Sequence, residues 1–129
     1  MTQITEMKGM TPKRVTAFHA VGIHTAKQLL EVGATPLGRL KLADETCLGL
    51  AEIEQYVHQA DLCRICDIAP AHAHLLYHAG VTTIPKLAYR RPEALHEALR
   101  AQSPRTAPSI DELQQYIAQA KRLQKVIRH

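Results

Sequence analysis

Tryptophan is absent from this chain, and phenylalanine occurs once, as Phe18. A core must therefore rest on Leu, Ile, Val and Ala, a set that suits short packed helices. Also missing is any apolar run near the ~20 residues needed to span a bilayer. The opening Met1-Thr-Gln-Ile-Thr-Glu-Met-Lys has neither the apolar stretch nor the cleavage signature of a secretory leader. Cysteine is sparse: Cys47, Cys63 and Cys66 cannot pair completely within one chain, so nothing points to an oxidising compartment. A cytoplasmic location is expected. There is no Walker A loop, no Gly-x-Ser-x-Gly elbow and no His-Glu-x-x-His motif. Acidic residues are dispersed, with no pair that sequence can place in a cleft. The expectation is a non-enzyme, with no catalytic residues and no cofactor.

What is present is 129 residues, 46% apolar and 22% charged, enough for one respectable core or two very small ones packed together. The sequence repeats itself. Shifted by 58 positions, Pro12 falls on Pro70, Gly22 on Gly80, Thr25 on Thr83 and Leu29 on Leu87. Apolar residues coincide at Met7/Ile65, Met10/Ile68, Phe18/Leu76 and Ile23/Val81. A second block matches at a shift of 60, with Gln55/Gln115, Tyr56/Tyr116, Gln59/Gln119 and Ala60/Ala120 identical. Two blocks in one order at nearly one spacing divide the chain into units of 1–62 and 63–129.

Each unit reads as helices. Pro12 and Pro70 fit the first helical position, where the missing N–H costs nothing, and Thr11 is a candidate N-cap. Gly22 and Gly80 stand where a helix stops in a left-handed residue, and Thr25 and Thr83 can cap the next helix. Ile53, Tyr56, Val57, Ala60 and Cys63 follow a helical period, as do Leu113, Tyr116, Ile117, Ala120, Leu123 and Ile127. Ser109 with Glu112 reads as a capping box. The one loop rich in breakers is residues 102–109. No alternating strand pattern is found, so the fold class expected is all-α.

The stretch Met7-Lys-Gly-Met-Thr-Pro-Lys-Arg-Val-Thr-Ala-Phe18 resembles the helix-hairpin-helix pattern apolar-x-Gly-apolar-Gly-Pro-x-x-Ala-x-x-apolar, with Thr11 in the second glycine's place. Residues 20–29 resemble the segment that follows such hairpins. The second unit keeps Ile65, Ile68, Pro70, Ala73 and Leu76 but has Asp67 and Ala69 where glycines are expected. Over nearly its full length the chain resembles an uncharacterised bacterial family of tandem helix-hairpin-helix proteins, a domain of unknown function. The resemblance implies two tandem units of short helices packed together, SAM/HhH-like.

A glycine-containing turn beside a helix N-terminus exposes successive backbone N–H groups, which suit a phosphate. Lys or Arg after the turn adds attraction to the neighbouring phosphate. The candidates are Gly9, Met10 and Thr11 by backbone, with Lys8, Lys13 and Arg14 by charge. The plain structural alternative makes Thr11-Pro12 a cap and Lys13 and Arg14 solvated charges. In the second hairpin, Asp67 repels phosphate and lacks the ease of glycine in a left-handed turn.

Charge is unevenly placed. Net charge is +4; residues 1–62 hold six Lys/Arg against seven Asp/Glu, and residues 63–129 hold ten against five. Lys121, Arg122, Lys125 and Arg128 are expected on the final helix, with Lys121, Lys125 and Arg128 on one face. Lys121, Arg122 and Lys125 are the second candidate phosphate contacts, and a solubilising outer face is their plain alternative. Cys63-x-x-Cys66 with His74 and His78 invites a zinc reading, but Cys63 continues an apolar stripe, and no metal is expected. Eight scattered histidines would add positive charge in mild acid.

The expected function is a sequence-nonspecific, nucleic-acid-binding accessory protein that contacts the DNA phosphate backbone. The alternative is a protein–protein interaction module that keeps the fold without binding DNA. No membrane partner is expected, and the oligomeric state stays open.

Overall fold

The computed structural model describes residues 2–128. Among them the chain forms eight α-helices and no strand: α1 (Pro12–Ala20), α2 (Ala26–Gly33), α3 (Pro36–Thr46), α4 (Leu50–Leu62), α5 (Pro70–His78), α6 (Ile84–Ala88), α7 (Pro92–Gln102) and α8 (Ile110–Ala120). A short 3-10 turn, Ile4–Glu6, precedes them. The expected all-α class is what the chain adopts. None of these helices is long and apolar enough to cross a membrane.

Local sequence accounts for most boundaries. The Thr11 hydroxyl accepts from the Arg14 N–H at 3.3 Å, and Pro12 occupies the first turn of α1. Thr25 and Gln28 form a reciprocal capping box on α2, and Ser109 and Glu112 form one on α8. Each satisfies donors that a helix start leaves orphaned. Gly22 and Gly80 follow the ends of α1 and α5 at φ +82° and +90°. Cys47, in the residue that ends α3, is also left-handed, at φ +59°. Gly33 answers a different need. A Cβ there would lie 2.4 Å from Val57, so only glycine lets α2 approach α4 this closely.

Hydrogen bonds recur along the chain at the 58-residue shift. Met10 N–H reaches Met7 O at 3.3 Å, and Ile68 N–H reaches Ile65 O at 3.3 Å. Ile23 to Phe18 and Val81 to Leu76 are both 2.9 Å. Thr25 and Thr83 each accept from the amide three residues on.

The buried side chains fall into two clusters. One gathers Ile4, Phe18, Leu29, Ile53 and Tyr56, with Phe18 and Tyr56 meeting edge to face at 6.2 Å. The other gathers Leu62, Ile65, Leu76, Leu87, Leu99 and Leu113. Cys63 packs against both. Leu37 and Leu40 of α3 lie outside either cluster, 78% and 53% exposed.

The end of the chain departs from the expectation. The apolar period of α8 was expected to run on through Leu123 and Ile127, carrying Lys121, Lys125 and Arg128 on one helical face. The helix instead ends at Ala120, with Lys121 as its cap, and residues 124–128 have no helical structure. The backbone of this segment is satisfied elsewhere. Arg64 donates to Gln124 O at 2.7 Å, Arg39 to Arg128 O at 2.7 Å, and Arg128 N–H to Ala34 O at 2.7 Å. Arg39 is itself buried and also donates to Gly33 O at 2.8 Å. These bonds lay Ile127 into the first cluster, where it is almost fully buried.

Truncating that side chain tests the arrangement. Ile127→Ala should cost about 3 kcal/mol, as expected for a well-packed aliphatic side chain, read as a lower urea midpoint, while exposed Lys125→Ala leaves the midpoint in place. Equal midpoints for the two variants would show that Ile127 does not close the first core.

Candidate functional site

The turn before α1 is built by a glycine and by long-range contacts. Gly9 sits at φ +87°, a conformation that side chains with a Cβ rarely adopt. Its carbonyl accepts from the Tyr56 hydroxyl at 2.8 Å and from Arg14 Nη1 at 2.9 Å. Arg14 also donates to the Tyr56 hydroxyl oxygen at 2.9 Å and pairs with Glu52 Oε2 at 3.1 Å. Its guanidinium lies 5.8 Å from the centroid of the Tyr56 ring. Arg14 is thus neither a solvated charge nor a free phosphate ligand. Charge-assisted bonds to Glu52 and to the Gly9 carbonyl commit its donors to holding the turn.

The rest of the turn is open. Lys8, Gly9, Thr11 and Lys13 are exposed, and Met10 is half-buried against the first cluster. Among the described residues, the backbone N–H groups of Gly9, Thr11 and Lys13 have no hydrogen-bond partner, and neither lysine forms an ion pair. The Met10 N–H is used internally, by Met7 O.

The corresponding turn of the second half has the same shape with different chemistry. Asp67 takes φ +61°, so the carboxylate residue does adopt the left-handed conformation. Asp is among the few non-glycine residues that tolerate it. The Cys66 N–H is occupied by Gln119 Oε1 at 2.8 Å. Tyr116 does not repeat the Tyr56 arrangement, since its hydroxyl meets His72 Nδ1 at 2.9 Å. Burial, followed by the charge of Glu112, raises the Tyr116 pKa above the ordinary phenol value.

Lys121, Arg122 and Lys125 do not join the first turn's hollow. Lys13 and Arg14 line a hollow with Glu52, whereas Lys121 and Arg122 line another with Arg90 and Gln114. Lys125 is exposed on the non-helical terminal segment. The residues that sequence reading missed are Glu52 and Arg39. Glu52 was matched with Glu112 in the repeat, but its partner Arg14 lies 38 residues away.

Cysteine and histidine are placed apart. Among the described residues, no group of three or more His, Cys, Asp or Glu side chains is positioned to hold a metal ion, and all three cysteines are free. His74 and His78 have ring centroids 4.4 Å apart. Burial, then the charges of His78 and Lys8, holds the His74 pKa below the ordinary imidazole value. His74 therefore stays neutral to lower pH than a free imidazole and adds little to charging in mild acid. The Cys63 thiol is pushed up to about 11, mainly by burial, against a lowering bond from the Thr2 side chain. A thiol reagent at pH 8 should modify Cys47 and Cys66 rapidly, because both are exposed, and Cys63 only slowly, since the thiolate is the nucleophile. Three equally fast thiols by mass spectrometry would contradict this.

No curated protein and no solved structure matches the chain. A family model described as "Domain of unknown function (DUF4332)" matches residues 8–123. That span takes in the first turn, both cores and the Arg90–Arg122 hollow, and the chain belongs to the DUF4332 family, a domain of unknown function.

Proposed function

We propose that the protein binds nucleic acid without sequence preference, as an accessory factor that grips the phosphate backbone at the turn spanning residues 8–13. In this reading the chain is a pair of helix-hairpin-helix units, 1–62 and 63–129. The first turn is the contact and the second serves mainly as scaffold.

One observation carries the reading. An exposed left-handed turn offers unoccupied N–H groups at Gly9, Thr11 and Lys13, beside two unpaired ammonium groups at Lys8 and Lys13. Backbone donors at a helix start, with nearby cations, suit a phosphate oxygen. Such contacts position a protein on a duplex and carry no base information, hence the absence of sequence preference. Arg14 serves as a positioning residue: with Tyr56 it turns the Gly9 carbonyl inward, leaving the outer side of the turn to its donors. The second turn lacks this set, because Asp67 is anionic and Gln119 occupies the Cys66 N–H.

Duplex DNA of random sequence, titrated by fluorescence anisotropy across salt concentrations, tests the proposal. Binding should weaken steeply with salt. Lys8→Glu with Lys13→Glu should lower the log–log slope by about two, near one per lost phosphate contact. No binding at low salt, or a double variant indistinguishable from the parent, overturns the proposal. It would shift weight to the interaction-module reading, for which the exposed Leu37 and Leu40 of α3 are the surface to mutate.

A further inference from the structure

The most exposed large apolar side chain recorded in the protein lies within its densest group of unpaired cations. Tyr89, the residue that ends α6, is 88% exposed. It is followed by Arg90 and Arg91, both exposed, and then by Pro92 at the start of α7. Across from them, Lys121 and Arg122 leave the end of α8. Two hollows adjoin here. One, of about 630 Å³, is lined by Tyr89, Arg90, Lys121 and Leu123 among others. The other, of about 470 Å³, is lined by Arg90, Gln114, Lys121 and Arg122 among others. Because Arg90 and Lys121 border both, the two hollows form one trough.

Three properties set this trough apart from the first turn. No carboxylate lines either hollow, whereas Glu52 lines the hollow beside Arg14. Among the described residues, Arg90, Arg91, Lys121 and Arg122 take part in no ion pair, so their charge is not spent internally. The backbone also fixes the platform. Arg90 N–H bonds Leu87 O at 3.1 Å, setting Tyr89 at the tip of a closed turn. Arg90 itself lies beside Gly80, where an added Cβ would be 3.9 Å from its guanidinium.

We propose that this trough binds single-stranded nucleic acid, with a base stacked on Tyr89 and flanking phosphates drawn along Arg90, Lys121 and Arg122. An exposed aromatic ring among free cations is how single strands are held without sequence readout, since every base has a face to stack. A duplex has its bases already stacked and offers the ring nothing. Gln114, at the far end, can bond a phosphate or a base edge through its amide. The proposal rests on the nucleic-acid reading above and assigns the single strand to a second surface, apart from the turn at residues 8–13.

The test uses the full chain and two labelled probes at low salt, an oligothymidylate of about twelve nucleotides and a duplex of equal length. The parent should bind the oligothymidylate, and Tyr89→Ala should weaken that binding roughly ten-fold while leaving duplex affinity unchanged. Tyr89→Phe should restore it, because the ring remains. Lys121→Glu with Arg122→Glu should weaken single-strand binding and steepen its loss with salt only slightly, if at all, as phosphate contacts are removed. Tyr89 is solvent-exposed, so its truncation leaves the packing intact, and unchanged thermal unfolding of the variant verifies this. Oligothymidylate affinity equal to the parent's in Tyr89→Ala overturns the trough, whatever the duplex does. Duplex affinity equal to the parent's in Lys8→Glu/Lys13→Glu overturns the turn and leaves the trough standing. No binding of either probe overturns both.

Discussion

A buried carboxylate organises the molecule. Asp61 is 1% exposed, and an uncompensated charge in that position would cost several kcal/mol. Its two oxygens are fully used: one accepts from Arg64 Nε at 2.9 Å and Nη2 at 2.8 Å, the other from the Ile84 N–H at 3.0 Å. The second bond holds the start of α6, a five-residue helix too short to persist alone. Arg64 passes the constraint on by donating to Gln124 O. One ion pair therefore ties α4, α6 and the terminal segment together. Its neighbours Ala60 and Leu62 belong to different core clusters, so Asp61 stands where the two meet.

The features legible in the sequence were those fixed within a few residues. Thr11, Thr25, Thr83 and Ser109 cap the helices they were expected to cap, because a cap needs only its own first turn. The stripe Ile53, Tyr56, Val57 and Ala60 is buried, because helical period alone decides which face turns inward. The misreadings share one cause, a partner far along the chain. Arg14 resembled a surface cation until Glu52 and Tyr56, 38 and 42 residues on, claimed it. Arg39, never singled out, reaches a carbonyl 89 residues away. The apolar period of α8 pointed to a longer helix because Ile127 is apolar for a different core.

Charge in this protein separates into two economies. In the first half cations are largely engaged, as with Arg14 on Glu52, Lys41 near Glu45 and Arg39 on backbone carbonyls. In the second half, where carboxylates are half as numerous as Lys and Arg, the arginines and lysines around α7 and the end of α8 remain unpaired. A half-buried guanidinium bonded to a carbonyl shapes the backbone. An exposed, unpaired one raises the local potential and draws anions toward it. The same residue types thus do different work according to how many acidic neighbours the fold supplies.

The placement of Ile127 bears on how the chain is made. Synthesis delivers residues in order, and domains tend to fold as units while the rest is still emerging. Here the first cluster cannot be complete when its own helices have emerged, because one of its fully buried side chains is encoded beyond the entire second cluster. Arg39 and the Ala34 carbonyl must wait for Arg128. The N-terminal half is therefore the last to reach its final packing, and the end of the chain acts as the closing stitch of its beginning.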